Sequence, residues 1–538
     1  MRLTRWTQLA CAAGLTAGFS QTALAQLRGD EVLVVFDSRI ADSLRTAELY
    51  AGSKRVPGGV GGKAGFRRSV RLLDLAGTGA PVTGPGNITF ADFVTRLRDP
   101  IRAHISSNQL LGRVRCIVTT KGLPHRVQDS DFPTAGDNPT NLVNEYSAND
   151  ATCASVDTEL VLLWQNLTTG EAGGAADSKA DGAILNPYWK LSTPIASLPQ
   201  TNIQVQKQYT NAGPGPMWVP FGTVGAATRL APGDLYVVSR LDGYALADIE
   251  GALQRAARVY YNVDTDAAMF DESGANGVAD VGANGEFDNV NTAFAQMRDA
   301  DDYEVTRDAF NADTRFASGF ARYNGLAGGN QFFIGPRLAW FPGDGVMLTS
   351  PLALVATYGA NHSGVPRDPA GDPRRTDFAA SYNYPDGAII NTIESYNCRD
   401  FGGLGQLAFA TQQQVAHFIA SGGTFGVGNV WEPLADAVPD NRYLASNFIR
   451  GNLSWAEAAW TAIPALSWQQ MVVGDPLARP ARSSEDINDD GRVGVDDLYA
   501  WEATPSDVDR SGTANAADRD FVVQAIRSWE RSDLLTPR

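Results

Sequence analysis

The chain has 538 residues, with 44 Lys or Arg against 60 Asp or Glu, a formal charge of −16 and a pI near 4.8. An acid excess of this size argues against a nucleic-acid binder, which carries a basic footprint, and 43% hydrophobic against 19% charged residues excludes a disordered chain. The length accommodates roughly two to four domains.

At the N-terminus Arg2 and Arg5 precede an apolar stretch from Leu9 to Phe19, and Ala23-Leu24-Ala25 follows. This order predicts a secretory signal peptide, residues 1–25, cleaved after Ala25. No later run approaches about 20 apolar residues, so no membrane span is expected. Cys11 leaves with the signal, and the odd set Cys116, Cys153 and Cys398 remains. One disulfide plus one free thiol is the simplest arrangement in an oxidising compartment, and three buried thiols is the alternative.

The run Val32 to Phe36 is continuously apolar, as a buried parallel strand is, and a helix is expected from Ser43 to about Ser53. Phe90, Phe93, Val94 and Leu97 recur at helical spacing before strand character returns at Val114 to Thr120. The alternation resumes with a strand at Asp234 to Ser239 and a helix burying Leu246, Ile249 and Leu253. Strands follow at Leu352 to Tyr358 and Ala388 to Glu394, then a helix with Val415, Phe418 and Ile419 inward, then a strand at Thr424 to Val430. Ser454 and Glu457 form a Ser-x-x-Glu capping box at the start of a last short helix. The pattern predicts an α/β domain over 26–480, a mainly parallel sheet flanked by helices, with a subdivision near 335. Stretches 125–230 and 262–330, rich in Gly, Asn, Asp and Pro, read as loop insertions. Lys121, Asp157, Glu159, Arg240 and Asp242 flank strand-like segments, where structural ion pairs are the common reading. The glycine loop from Gly58 to Gly62 lacks a phosphate-binding ending, because Lys63 is followed by Ala64.

Composition changes sharply after Pro480. Within Asp486 to Asp497, oxygen side chains stand at positions 1, 3, 5 and 12 (Asp486, Asn488, Asp490, Asp497), with Gly491 at position 6 and the Arg492 carbonyl at 7. Hard, oxygen-seeking Ca²⁺ needs this spacing. It recurs 21 residues later as Asp507, Asp509, Ser511, Gly512, Thr513 and Asp518. Two calcium ions are therefore expected in a small all-α module at 484–530. Asp at position 12 favours static structural sites over a sensor switch.

The duplicated loop-helix pair resembles the type I dockerin module. The resemblance implies calcium-dependent folding, a cohesin-like or cell-surface protein as partner, and the ligand set just named. At the positions before the last ligand stand Val495-Asp496 and Ala516-Ala517, which differ between repeats and from the familiar Ser-Thr type.

In the body, one predicted strand runs into Gly359-Ala-Asn361-His362-Ser363-Gly364 and another into Glu394-Ser395-Tyr396-Asn397-Cys398. If the strands are neighbours, His362 and Cys398 meet at the carboxyl edge of the sheet, where a thiol beside an imidazole is a workable nucleophile. Ser395 is a second candidate. The order resembles the gingipain-type cysteine peptidases of the caspase-like fold over about 340–480, although Ser363 separates His362 from Gly364. Residues 30–480 as a whole resemble an uncharacterised family of secreted bacterial proteins, through pieces such as Thr120-Lys121-Gly122-Leu123-Pro124, Ser239-Arg240-Leu241-Asp242-Gly243 and Gly474-Asp475-Pro476-Leu477. Three functional classes follow. The first is a cysteine-dependent hydrolase using His362 and Cys398. The second is a glycoside hydrolase or polysaccharide-degradation component, with Glu394 and Glu432 as the acid pair. The third is a non-catalytic surface or assembly protein. His104, His125 and His417 read as structural or solvated, and no His or Cys spacing supports zinc.

Overall fold

Ten short, mostly apolar runs pair into one sheet. The computed structural model describes residues 26–67, 69–79, 86–127, 154–164, 184–195, 207–210, 217–220, 235–271, 302–324, 333–337, 346–357, 377–392, 396–402, 415–430 and 438–530. The main-sheet strands are β1 (Val32–Phe36), β2 (Arg71–Asp74), β3 (Cys116–Thr120), β4 (Val237–Leu241), β5 (Ala267–Asp271), β6 (Ala321–Asn324), β7 (Leu352–Thr357), β8 (Ile389–Asn391), β9 (Phe425–Asn429) and β10 (Gln470–Val473). Every residue of β1, β3, β4, β5, β7 and β9 is buried, which is why these strands read as continuous runs instead of alternating ones.

The spatial order is β6-β5-β7-β8-β9-β10-β4-β3-β1-β2. All neighbours are parallel except β9 and β10, which pair antiparallel with Gly426 opposite Val473 and Asn429 opposite Gln470. The sheet is thus two parallel halves facing opposite ways. Within each half the strands, numbered in chain order, lie as 2-1-3-4-5. The second half is continuous in the chain, whereas the first receives its fifth strand, β10, only after the second is complete. The repeat lies in the topology, so the sequence shows none. The halves divide between residues 256 and 267, well before the division near 335 read from the sequence.

The stretch 262–330 is not simply an insertion. It supplies β5 and β6, the outer strands of the second half, and the helix Asp302–Ala312 between them. Alanine-rich β5 (Ala-Ala-Met-Phe-Asp) followed by a Gly/Asn/Asp-rich segment hides this contribution. Part of 125–230 is core as well, since the short helix Val156–Val161 is buried along its whole length.

The helices used below are α1 (Ala41–Ala51), α2 (Val156–Val161), α3 (Leu246–Ala256), α4 (Trp455–Ala462), α5 (Val495–Ala503) and α6 (Ala516–Glu530). Indole donors seat α4 on the sheet, with Trp460 Nε1 donating to the Val238 carbonyl at 2.7 Å and Trp455 Nε1 to Val473 at 3.1 Å. Ser454 stands at the N-cap of α4, but its hydroxyl donates to Glu457 Oε2 at 2.7 Å and accepts no backbone N–H, so the capping box is not formed.

At the C-terminus Val493, Trp501, Val508, Val522, Ala525 and Ile526 pack into a small core that also takes in Ala481. Among the described residues no helix is long and apolar enough to cross a membrane. Cys116 and Cys398 are both free and buried, so among the described residues the disulfide-plus-thiol arrangement is not found: each sulfur sits inside packed core.

Candidate functional site

The two C-terminal loops build the same cage twice. Positions 4 and 6 have left-handed backbone in both: φ is 57° at Asp489 and 80° at Gly491, then 55° at Arg510 and 99° at Gly512. These reversals turn the amides inward. In the first loop the Asp490 N–H donates to Asp486 Oδ1 at 3.1 Å and the Gly491 N–H to Oδ2 at 2.8 Å. In the second, Ser511 and Gly512 donate to Asp507 Oδ1 and Oδ2 at 2.9 and 2.7 Å. Position 12 is held likewise. Asp497 accepts from Ile487 at 2.7 Å and Gly494 at 2.6 Å, and Asp518 accepts from Asp509 at 2.9 Å and Asn515 at 2.7 Å.

Asp507, Asp509 and Asp518 each offer an oxygen, and the three oxygens lie within 4.8 Å of one another. Oxygens on a common Ca²⁺, at bond lengths of about 2.3–2.6 Å, can be no farther apart than about 5 Å, so this donor set fits a hard cation. In the first loop Asn488 replaces Asp at position 3, and its Oδ1 accepts from Asp490 N–H at 3.0 Å. Asp497 is buried, and burial raises its carboxyl above the usual range despite three backbone donors.

The other residues singled out from the sequence gather on the sheet. Thr119, Arg240, Val473 and Gly426 are register partners across β3, β4, β10 and β9 and so share a face. Arg240 is fully buried there. Its Nη2 lies 3.3 Å from Asp157 Oδ1 at the start of α2, its Nη1 lies 3.6 Å from Asp242 Oδ2, and it donates to the carbonyls of Leu123 and Pro124. Lys121 Nζ reaches Asp242 Oδ1 at 3.4 Å and the carbonyls of Gly243 and Phe401 at 2.7 and 2.8 Å. Glu159 accepts from the Ser467 hydroxyl at 2.6 Å. Burial pushes the carboxyls of Asp157 and Asp242 up, and Arg240 and Lys121 pull them back. These are structural ion pairs that pin loops to the sheet.

Cys398, within the segment 396–402, lies against this face. A Cβ on Gly428 would stand 2.6 Å from its sulfur and 2.5 Å from Asn397 Oδ1, so the glycine is what lets the segment seat on the sheet. Burial, reinforced by Asp157, pushes the thiol pKa well up. That holds it protonated, the reverse of what a nucleophile needs. His362, Glu394, Ser395, Glu432 and Cys153 lie outside the described residues. His125 is buried and held neutral by desolvation and by Arg126 and Arg240, with Nε2 2.7 Å from the Arg399 carbonyl. Burial brings His417 down to about 4 as it packs edge-on against Tyr244. Lys63 pairs with Glu250 at 2.6 Å.

Residues unremarked in the sequence touch the calcium-type loops from the body. Tyr260 Oη donates to Asp486 Oδ2 at 2.8 Å, Asp264 pairs with Arg510 at 2.7 Å, and the Thr314 hydroxyl donates to the Asp509 carbonyl. Asp264 and Thr314 sit in the stretch 262–330 that reads as an insertion and Tyr260 just before it, with no local motif to mark them. No family model, curated protein or solved structure matches the chain.

Proposed function

We propose that this is a secreted calcium-binding protein whose residues 484–530 form a dockerin-like pair of structural Ca²⁺ sites on a caspase-like α/β body, serving in assembly or surface attachment. The observation that carries the reading is the repetition. The same reversals and the same inward amide bonds recur at the same positions 21 residues apart, around oxygen donors that no cation of the chain neutralises at ion-pair distance among the described residues. Asp486, Asn488, Asp490, Asp497 and the Arg492 carbonyl would hold one ion, and Asp507, Asp509, Ser511, Asp518 and the Thr513 carbonyl the other. Calcium supplies charge compensation that lets the loops close and the helices pair. A body of parallel strands flanked by helices supports the caspase-like part. The buried, protonated Cys398 favours the assembly role over thiol chemistry.

Calorimetric titration of the EDTA-stripped full chain tests the proposal. Two equivalents of Ca²⁺ should bind, and Asp486→Ala with Asp497→Ala should remove one. A wild-type chain that takes up no calcium at millimolar concentration sinks it.

A further inference from the structure

We infer that the α/β body completes the calcium loops: Tyr260 is a positioning residue for Asp486 in the first loop, and Asp264 and Thr314 hold the backbone turn of the second. The inference rests on the calcium reading and adds a partner for the module, namely its own body.

The two loops share their internal bonds, and they differ in what the body adds. Asp486 Oδ2 accepts from Gly491 N–H and from the Tyr260 hydroxyl at 2.8 Å each, whereas Asp507 Oδ2 accepts from Gly512 N–H and, among the described residues, from no body residue. The phenol fixes the rotamer of the first ligand of the first loop. Tyr260 is itself fixed. Tyr260–Tyr261 pairs in parallel with Ala481–Arg482, the residues just before the loop, and the Val263 N–H donates to Ser483 Oγ at 3.0 Å. Outer donors of this kind hold a ligand ready for its metal.

The second loop is held differently. Asp264 pairs with Arg510 at the left-handed fourth position, and Thr314 donates to the carbonyl of Asp509, the residue before it. Arg315 lies over the Phe521 ring of α6 at 5.0 Å and is fixed by Asp313 at 2.8 Å, which also takes Arg450 at 3.0 Å. Residues 260–264 and 313–315 thus form one surface that touches both loops. Calcium binding and seating of residues 484–530 on the body are then a single coupled event.

The test uses the full chain with one loop disabled at a time. With Asp507→Ala and Asp518→Ala leaving only the first loop, Tyr260→Phe should weaken calcium binding about tenfold. With Asp486→Ala and Asp497→Ala leaving only the second, the same change should have no effect, and Asp264→Asn with Thr314→Val should weaken binding instead. A merely structural role for Tyr260 would lower both sites equally or neither. The inference falls if each set of body variants leaves its own loop at parent affinity while the parent binds calcium. Absence of calcium binding in every parent would remove the calcium reading itself, a result separable from the first.

Discussion

Two regions of this protein concentrate buried or half-buried carboxylates, and they balance that charge in opposite ways. On the sheet, Asp157 and Asp242 meet Arg240 and Lys121, so the cations that compensate them are built into the fold. In the second C-terminal loop, Asp507, Asp509 and Asp518 converge with only backbone N–H groups as donors among the described residues, apart from the Ser511 hydroxyl at 3.5 Å from Asp507. Amide dipoles orient these oxygens without cancelling their charge. A carboxylate cluster with its own cations is a structural lock, and one that lacks them needs a cation from solution.

The largest expected effect breaks the first arrangement. Arg240→Met leaves Asp157 and Asp242 buried with Lys121 as the one remaining cation of the four, and should cost about 3–5 kcal/mol in denaturant unfolding. Calcium should not restore it. Adding Asp157→Asn should recover part of the loss, because the charge left uncompensated is removed. A double variant as unstable as the single one would mean that Arg240 acts through its carbonyl contacts, not through charge. The second arrangement breaks by a different rule. Asp518→Asn keeps one of the two backbone acceptors and turns an NH2 toward the other N–H, so it should cost about 1–3 kcal/mol already in EDTA. At calcium a hundredfold above the dissociation constant it should forfeit about 2.7 kcal/mol more, the wild-type gain. Equal calcium-induced shifts in melting temperature for wild type and variant would contradict metal binding at that loop.

The contrast also explains what the sequence revealed. The calcium-type spacing was legible because its oxygen side chains fall within twelve consecutive residues, and local backbone geometry alone brings them together. The sheet cluster draws on residues 121, 157, 240 and 242, assembled by β-pairing over more than a hundred positions, so each could be noticed singly but not as a group. The α/β class was readable from the buried apolar runs. The opposed halves were not, because they depend on β10 joining β4 across residues 242–469, and nothing local encodes that pairing. Tyr260 was hidden for the same reason: its partner, Asp486, is 226 residues away.

A third carboxylate takes neither course. Asp266 is buried and, among the described residues, has no cation beside it and accepts on Oδ2 only the Asn262 N–H, at 2.7 Å, closing the turn that presents Asp264 to Arg510. Burial pushes its pKa up to about 7. The sign follows from proton linkage. The unfolded chain gives up this proton near pH 4 while the folded chain keeps it to about 7, so the folded state binds more protons between those values and stability falls as pH rises. Asp266→Asn keeps the oxygen acceptor and removes the titration. Wild type should therefore lose about 2 kcal/mol relative to the variant between pH 5 and pH 7, measured by chemical denaturation in EDTA so that the calcium loops do not contribute. Parallel pH profiles would show that solvent or a counter-charge reaches this carboxylate. With the expected slope, protonation stands beside internal cations and solution calcium as the third way this fold accommodates a buried acid.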